Sequence, residues 1–444
     1  MNAAPVGRRP GPTAWRCGVL IDGSGEDAAE DVALVLDDAR IVAIEPWTAR
    51  HDAMYGSDGI RDLRGHTVLP GLVDGHAHLC LGSPGSAAWR NAAIDAIGIV
   101  AWGLASGVAA LQSGITTVVD VGSRDGLALR VAEMIDSGLA TGPTVLAAGA
   151  AITTTGGHGA DFGSPADDQA DLVRAVRATV ARGADLVKIM VTGGAIDPSS
   201  NRRRAQYTEG ELRAAIDDAH RLGRCVVGHT NATEGIIRAV AAGIDVVAHC
   251  NWLGAQPATV EVDWPTVESM ASQKVWIDLN IEGAMRDLLD IDGAVQSWPD
   301  DEPTPGTRWE LLQPLRRRGV GLYLTSDAFG PSIGRFTESL RQLRVRWNLP
   351  AEELVALVTD QPARALGFGG VRGLLAVGAR ADILVVSGDL RADPGALLRP
   401  VSVYRDGSEV VSGGRLSPPP AAGRSVLESA AQQDLLTAVF RELT

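Results

Sequence analysis

Features of membrane-spanning and exported proteins are missing from this sequence of 444 residues. No run of about 18 apolar residues occurs, which is the least that a membrane helix needs. Prolines and arginines interrupt the N-terminal segment where a secretory signal would have its apolar core. The four cysteines are scattered, without a Cys-x-x-Cys pair, which argues against a disulfide scaffold or a zinc finger. We therefore expect a cytoplasmic protein without a membrane partner.

Positive charge is also scarce. Lysine and arginine together number 40, against 54 aspartates and glutamates, which gives a formal net charge of -14. Nucleic-acid binding needs clustered positive charge to displace counterions, so we expect no nucleic-acid partner. The partners that we predict are a small-molecule substrate and further copies of the chain in a homo-oligomer. The main basic cluster, Arg202 to Arg204, is either a solvated loop or a site for an anionic substrate group.

The residues that are present divide the chain into four regions. Residues 1–70 contain short strand-like runs separated by turns, and similar runs return in residues 371–420, so both chain ends are predicted to form one small β-sandwich domain. Residues 71–370 alternate apolar runs with amphipathic segments, as in βα units around a parallel sheet. Residues 421–444 predict a C-terminal helix.

Eight buried strands are predicted to build the large central domain. They lie within residues 66–78, 114–122, 144–150, 184–194, 225–230, 245–250, 275–280 and 320–327. Helices are predicted between them, for example over residues 171–182, 208–222, 233–242 and 309–318. Eight strands joined by helices over about 300 residues fit a (β/α)8 TIM barrel of the α/β class, although an open doubly wound sheet would give similar local patterns.

Several polar residues stand at the carboxyl ends of these strands. His76 and His78 are two apart, so on a strand they share a face and can grip one metal ion. His229, His249 and Asp327 each end another predicted strand, which is where barrel active sites form. A single histidine at a strand end is more often structural than a ligand. Four of them with a carboxylate favour a metal site.

Lys188 lies within the apolar run DLVKIMV. A lysine in a buried strand is unfavourable unless its charge is paired or removed. The residue therefore requires a chemical explanation.

Several longer segments resemble the amidohydrolase superfamily, in the branch that contains imidazolonepropionase-like proteins, Xaa-Pro-type dipeptidases and ochratoxin-degrading amidases. The resemblance extends over most of the chain. It rests on VLPGLVDGHAHL (68–79), GITTVVDVG (114–122), TTTGGHG (153–159), VKIMVTGG (187–194), the run from 217 to 250, TSDA (325–328), QPARALG (361–367) and VGARADILVV (377–386).

The resemblance implies a hydrolase with two divalent metal ions, zinc first, with manganese, cobalt or iron as alternatives. The implied ligands are His76 and His78 on the buried ion, His229 and His249 on the other, Lys188 as a bridging N6-carboxylysine, and Asp327 beside the nucleophilic water. Carboxylation would explain the buried lysine. Asp327 would take the proton of a water acidified by the cations and deliver it to the leaving nitrogen, with Lys188 and His249 as the other catalytic residues.

Four further residues are predicted to contact the substrate. His158 matches a loop histidine of this branch that reaches the substrate, an interpretation that we favour over a surface histidine on a flexible glycine loop. Asn231 stands where peptidase members have the tyrosine of a His-Ala-Tyr motif, and it would be an amide donor to an oxyanion. Tyr207 and Arg204 lie in the predicted specificity loop 193–212, where an arginine that faces the site would bind a substrate carboxylate.

These features predict a metal-dependent amidohydrolase that cleaves an amide-type C–N bond, in an N-acyl amino acid, a dipeptide or a related amide. If the arginines face solvent, a neutral carbamate or phenylurea becomes the favoured substrate. A one-metal deaminase or isomerase is disfavoured by Lys188 together with Asp327. A catalytically silent binding protein would be expected to lack a ligand, and none is missing.

Overall fold

The structure is a computed structural model that describes residues 12–82, 95–194, 197, 199–281 and 305–417. The predicted helix over 421–444 lies outside these residues. Within the described ranges no helix combines the length and the apolar character needed to cross a membrane.

The described strands alternate with helices through the central part of the chain. The strands are β1 (Thr13–Leu20), β2 (Ala29–Asp37), β3 (Arg40–Pro46), β4 (Ile60–Pro70), β5 (Leu72–His78), β6 (Ile115–Asp120), β7 (Thr144–Ala147), β8 (Ile152–Thr153), β9 (Ser164–Pro165), β10 (Leu186–Met190), β11 (Cys225–Ala232), β12 (Val246–Leu253), β13 (Trp276–Asn280), β14 (Gly321–Thr325), β15 (Ala328–Phe329), β16 (Ile383–Ser387), β17 (Pro400–Arg405), β18 (Ser408–Ser412) and β19 (Arg415–Leu416). The α-helices are α1 (Ala49–Tyr55), α2 (Ala96–Gln112), α3 (Ala128–Asp136), α4 (Gln169–Ala181), α5 (Glu209–Arg221), α6 (Thr233–Ala241), α7 (Trp264–Gln273), α8 (Pro305–Arg316), α9 (Phe336–Trp347), α10 (Ala351–Leu357) and α11 (Asp360–Ala365).

Strands from both chain ends share one sheet of eight strands, in the order β19-β18-β17-β16-β4-β1-β2-β3. The junction is the antiparallel pair of β4 and β16, which runs from Pro70 opposite Ile383 to His66 opposite Ser387. Alternate residues of β1, such as Trp15 and Cys17, pack into an apolar core on one face. The strand ladder is continuous, so a sandwich of two separate facing sheets stays a prediction.

The central strands are parallel and form two sheets. One has the order β15-β5-β6-β7 and the other β14-β13-β12-β11-β10-β8-β9. Among the described residues the ladders do not close into one barrel. Single backbone hydrogen bonds of 2.9 Å link the two sheets, from Asp185 N, just before β10, to Ala147 O of β7 and from Asp327 N, just after β14, to His76 O of β5. The predicted α/β fold with parallel strands is confirmed, and each of the eight predicted segments contains a strand.

The segment 66–78, predicted as a single strand, is two strands that belong to different sheets. The break falls at Gly71, whose N–H donates to Asp382 O. A Cβ at this position would lie 2.2 Å from the Thr116 hydroxyl, so only glycine permits the approach. The turn connects β4 of the eight-stranded sheet to β5, the strand that contains His76 and His78.

Local sequence signals explain where helices begin. Thr208 accepts a hydrogen bond from Glu211 N, while the Glu211 carboxylate accepts one from Thr208 N, which makes a capping box at the start of α5. Asp168 caps α4 through Asp171 N. Both helices lie close to their predicted bounds.

Candidate metal centre

Side chains from four parallel strands, and one that follows a fifth strand, meet in one buried cluster. Lys188 Nζ lies 3.3 Å from His76 Nε2. Asp327 Oδ1 lies 3.4 Å from His76 Nε2 and 3.5 Å from His78 Nε2. His249 completes a group with His76 and Asp327 whose ligand atoms all lie within 4.8 Å of one another.

His229 adjoins this group, since its Nδ1 lies 2.7 Å from His249 Nε2. All six residues that the sequence predicted as metal ligands therefore meet at one place. Their donor atoms are imidazole nitrogens, a carboxylate and an amine that carboxylation would convert into a second carboxylate. This set fits zinc and similar divalent ions.

Two members of the cluster have unusual backbone conformations. His249 has φ of 66° and Asp327 has φ of 56°, and Cys250 and Trp252 are also left-handed. In the pairing of β11 with β12, Thr230 lies opposite His249 and Ala232 lies opposite Leu253. The β12 strand therefore contains two extra residues over this stretch, as in a β-bulge. Non-glycine residues adopt this region at an energetic cost and are concentrated at functional sites.

The ionisation of these groups suits metal binding. Burial lowers the pKa of the His229 and His249 imidazoles well below its usual value, so both rings are neutral and keep a lone pair. Burial also lowers the pKa of the Lys188 amine to about 8, which makes the unprotonated, nucleophilic form accessible. Burial alone would raise the pKa of the Asp327 carboxyl, but the His76 and His78 rings hold it well below its usual range.

Asp278 supports the cluster from behind and was missed by sequence reasoning. This carboxylate on β13 is fully buried. It lies 2.5 Å from His76 Nδ1 and accepts a 2.5 Å hydrogen bond from the Thr325 hydroxyl. His78 Nδ1 has an equivalent partner, Gly122 O, at 2.9 Å. These contacts occupy Nδ1 of both rings and leave Nε2 for a metal. The signal in the sequence was an aspartate inside the apolar strand WIDLN.

Asn231 shares the side of β11 with His229, but both ends of its amide are already bonded. Its Nδ2 lies 2.8 Å from His229 Nε2, and its Oδ1 accepts a 2.7 Å hydrogen bond from Asn251. Arg308 in turn donates to Asn251 Oδ1 at 3.2 Å. In this geometry Asn231 holds His229 in position, and its amide is not a free donor for a substrate. Asn251, two residues after His249, was overlooked although the spacing matches that of Asn231.

The other predicted substrate contacts lie in different surroundings. The His158 ring lies beside His229, with ring centroids 4.2 Å apart. Tyr207 is in the core instead, because its side chain is buried and its hydroxyl donates to Ala166 O. Arg204 is exposed, whereas Arg203 is buried and donates to Gly254 O. Among the described residues no hydrogen bond links Tyr207 or Arg204 to the cluster, so their contact with a substrate stays a prediction.

Comparison with known proteins agrees with this arrangement. Residues 67–414 match the family model described as the amidohydrolase family.

The chain belongs to the amidohydrolase family. It is similar to ochratoxinase of Aspergillus niger, at 25% identity over 91% of this chain and 86% of that protein. It is also similar to imidazolonepropionase of Chromobacterium violaceum, at 27% identity over 82% of this chain and 87% of that protein. The crystal structure of a Xaa-Pro dipeptidase with bound methionine superposes with a TM-score of 0.75 at 24% identity, over 90% of this chain and 99% of that one.

These comparisons confirm the resemblance inferred from the sequence. They also confirm that this amidohydrolase-family chain is a hydrolase acting on carbon–nitrogen bonds.

Proposed function

We propose that this chain hydrolyses an amide-type C–N bond of a small molecule with the help of two divalent metal ions, zinc first. The observation that carries the proposal is the fully buried Lys188 amine, 3.3 Å from His76 and with a pKa of about 8. A lysine in this state is suited to carboxylation, which would supply an anionic group able to reach two ions.

The chain's own groups suggest how the metals would be held. His76 and His78 would ligate one ion and His229 and His249 the other, with carboxylated Lys188 between them. When bound, divalent cations supply the positive charge that acidifies a water molecule and polarises a carbonyl group.

The proton transfers fall to Asp327. Its carboxylate is ionised, because neighbouring imidazoles hold its pKa low, and 25% of its side chain is exposed, which leaves it open to the substrate space. We propose that it accepts the proton of the attacking water and then delivers it to the leaving nitrogen. His76, held by Asp278, keeps its position during these steps.

The substrate would be an N-acyl amino acid, a dipeptide or a related amide. A neutral carbamate or phenylurea is the second candidate, and one observation favours it. Arg203, the buried member of the arginine cluster, is bonded to Gly254 O, and Arg204 is exposed. Arg203 is thus engaged by the protein's own backbone, which favours a substrate without a carboxylate.

The fold part of the proposal is a closed (β/α)8 barrel. The alternation of strands and helices and the two edge hydrogen bonds between the parallel sheets support it. A small β-sandwich would complete the molecule.

Elemental analysis and isotope labelling test the metal centre. After reconstitution with zinc, manganese or cobalt in bicarbonate, we expect two metal equivalents per chain. A value that stays at or below one would refute the binuclear site.

The chain has only two lysines, Lys188 and the exposed Lys274. A carbamate signal from carbon-13 bicarbonate should therefore vanish in Lys188→Ala and persist in the matched control Lys274→Ala. Screening the metal-loaded enzyme against dipeptides, N-acyl amino acids, aryl carbamates and phenylureas then separates the two substrate classes.

A further inference from the structure

The imidazole of His158 is enclosed by its neighbours. Only 6% of the residue is exposed. The ring contacts His229 at a centroid distance of 4.2 Å, and the backbone of Gly194 lies against it. A Cβ at position 194 would be 2.2–2.4 Å from three ring atoms of His158. Any larger residue there would displace the ring.

A carboxylate from the same loop as Gly194 faces one nitrogen of this ring. Asp197 Oδ2 lies 3.3 Å from His158 Nδ1, and the two side chains are only 9% and 8% exposed. Asp197 also accepts a 2.7 Å hydrogen bond from Gly159 N, which ties the two loops together. Because a carboxylate only accepts hydrogen bonds, it favours the ring form with a proton on Nδ1.

The other ring nitrogen is left available. Among the described residues no group hydrogen-bonds to His158 Nε2, whereas the backbone N–H of His158 is fixed by Gln206 Oε1 at 2.9 Å. The residue is thus fixed by its backbone and by His229 on one ring face, and the Asp197 carboxylate lies 3.3 Å from Nδ1. Such an arrangement is typical of a preorganised contact with a ligand.

We propose that Asp197 is a positioning residue that holds His158 as its Nδ1–H tautomer and leaves Nε2 for the substrate, with Gly194 providing the space for the ring. This inference rests on the proposed function of the neighbouring cluster. In this proposal the predicted specificity loop contributes the Asp197 carboxylate as a hydrogen-bond acceptor and the space at Gly194, instead of an arginine.

Nitrogen-15 spectra of the histidine rings test the tautomer directly. The chain has eight histidines, and His158→Gln would assign the relevant signal. We expect one Nδ1–H tautomer in the native protein, a mixture in Asp197→Ala, and the native tautomer restored in Asp197→Asn, which keeps an oxygen acceptor. Ring signals that are the same in Asp197→Ala as in the native protein would overturn the proposal.

A glycine pair tests the space for the ring. Gly194→Ala should lower kcat/KM at least tenfold on the best substrate of the panel and should shift the His158 signal, with metal content unchanged. Gly210→Ala in α5 is the matched control, because a Cβ there meets no atom within 4 Å. Equal activity and equal ring signals in the two variants would contradict the inference.

Metal analysis separates this inference from the proposed function. Loss of metal in Asp197→Ala would assign Asp197 to the metal centre and overturn the positioning role. If the native protein binds no metal, the proposed function fails, yet the tautomer measurement still decides the role of Asp197.

Discussion

Removing the charge of Asp278 should weaken metal binding without unfolding the protein. In Asp278→Asn the amide oxygen can still accept from His76 Nδ1, and the amide nitrogen can donate to the Thr325 hydroxyl. The charge and the 3.3 Å hydrogen bond from Asn280 Nδ2 are lost. Asp278→Ala removes the acceptor of both His76 Nδ1 and the Thr325 hydroxyl, each of which lies 2.5 Å from the carboxylate. Loss of such a partner behind a metal ligand typically costs 10–100-fold in affinity. We expect about tenfold for Asp278→Asn and about 100-fold for Asp278→Ala.

The larger value agrees with an independent estimate. A buried polar group left without a partner costs about 1–3 kcal/mol, and 100-fold in affinity corresponds to about 2.7 kcal/mol. The assay is competition for zinc with a chelating dye, together with thermal unfolding of the metal-free proteins. Asp245→Asn is the matched control, because Asp245 pairs with His220 at 2.8 Å outside the cluster. If Asp278→Asn and Asp245→Asn both bind zinc like the native protein, Asp278 does not support the metal centre.

Three further variants test other parts of the structure. Asn231→Ala should destabilise the protein by about 1–3 kcal/mol in urea unfolding, because its partner asparagine loses a buried acceptor; a 100-fold fall in turnover at unchanged stability would instead identify a donor to the substrate. Lys188→Ala should lose both metals in elemental analysis more readily than Asp327→Asn, which should bind metal but turn over poorly; equal loss would mean that the bridge or the base is wrongly assigned. Arg177 and Arg221 lower the pKa of Asp218 to about 2. This carboxylate therefore stabilises the fold above about pH 4, and the stabilisation is lost as the pH falls towards 2. Asp218→Asn should therefore reduce the acid dependence of stability by up to about 1 kcal/mol, since the arginines are exposed, and acid titrations identical to the native protein would exclude this contribution.

Residues at strand ends were predictable because strand geometry is regular. The spacing of His76 and His78, and the position of Asp327 after an apolar run, follow from the two-residue period of a strand and the common edge of parallel strands. The structure brings all six predicted ligands together for this reason. What the spacing did not contain is the left-handed backbone at His249 and Asp327, which depends on contacts between strands.

The surroundings of loop residues are harder to predict from the sequence. Tyr207 and Arg204 belong to the expected specificity loop, yet the tyrosine hydroxyl bonds to Ala166 O and the arginine is exposed. The direction of a loop side chain depends on packing against distant segments, which a single sequence does not report. Asp197, in the same loop, lies beside His158 and had no local pattern to distinguish it.

Supporting residues form a third group. Asp278 contacts the predicted ligand His76, and Asn251 contacts Asn231, in each case across a large distance in the chain. In the sequence Asp278 was visible only as a charged residue in an apolar strand. A buried charge needs a partner, so the reasoning used for Lys188 would also have predicted a partner for Asp278.

The pairing of β4 with β16 also has a consequence for how the protein is made. Its partners, Pro70 and Ile383, are about 300 residues apart in the chain. At a synthesis rate of roughly 5–20 residues per second, the ribosome needs about 15–60 s to deliver β16 after β4 has emerged. During that interval β4 presents an open edge to other nascent chains, and such edges invite intermolecular pairing. The yield of correctly folded protein should therefore depend on translation speed and on chaperones that cover this edge until its partner arrives.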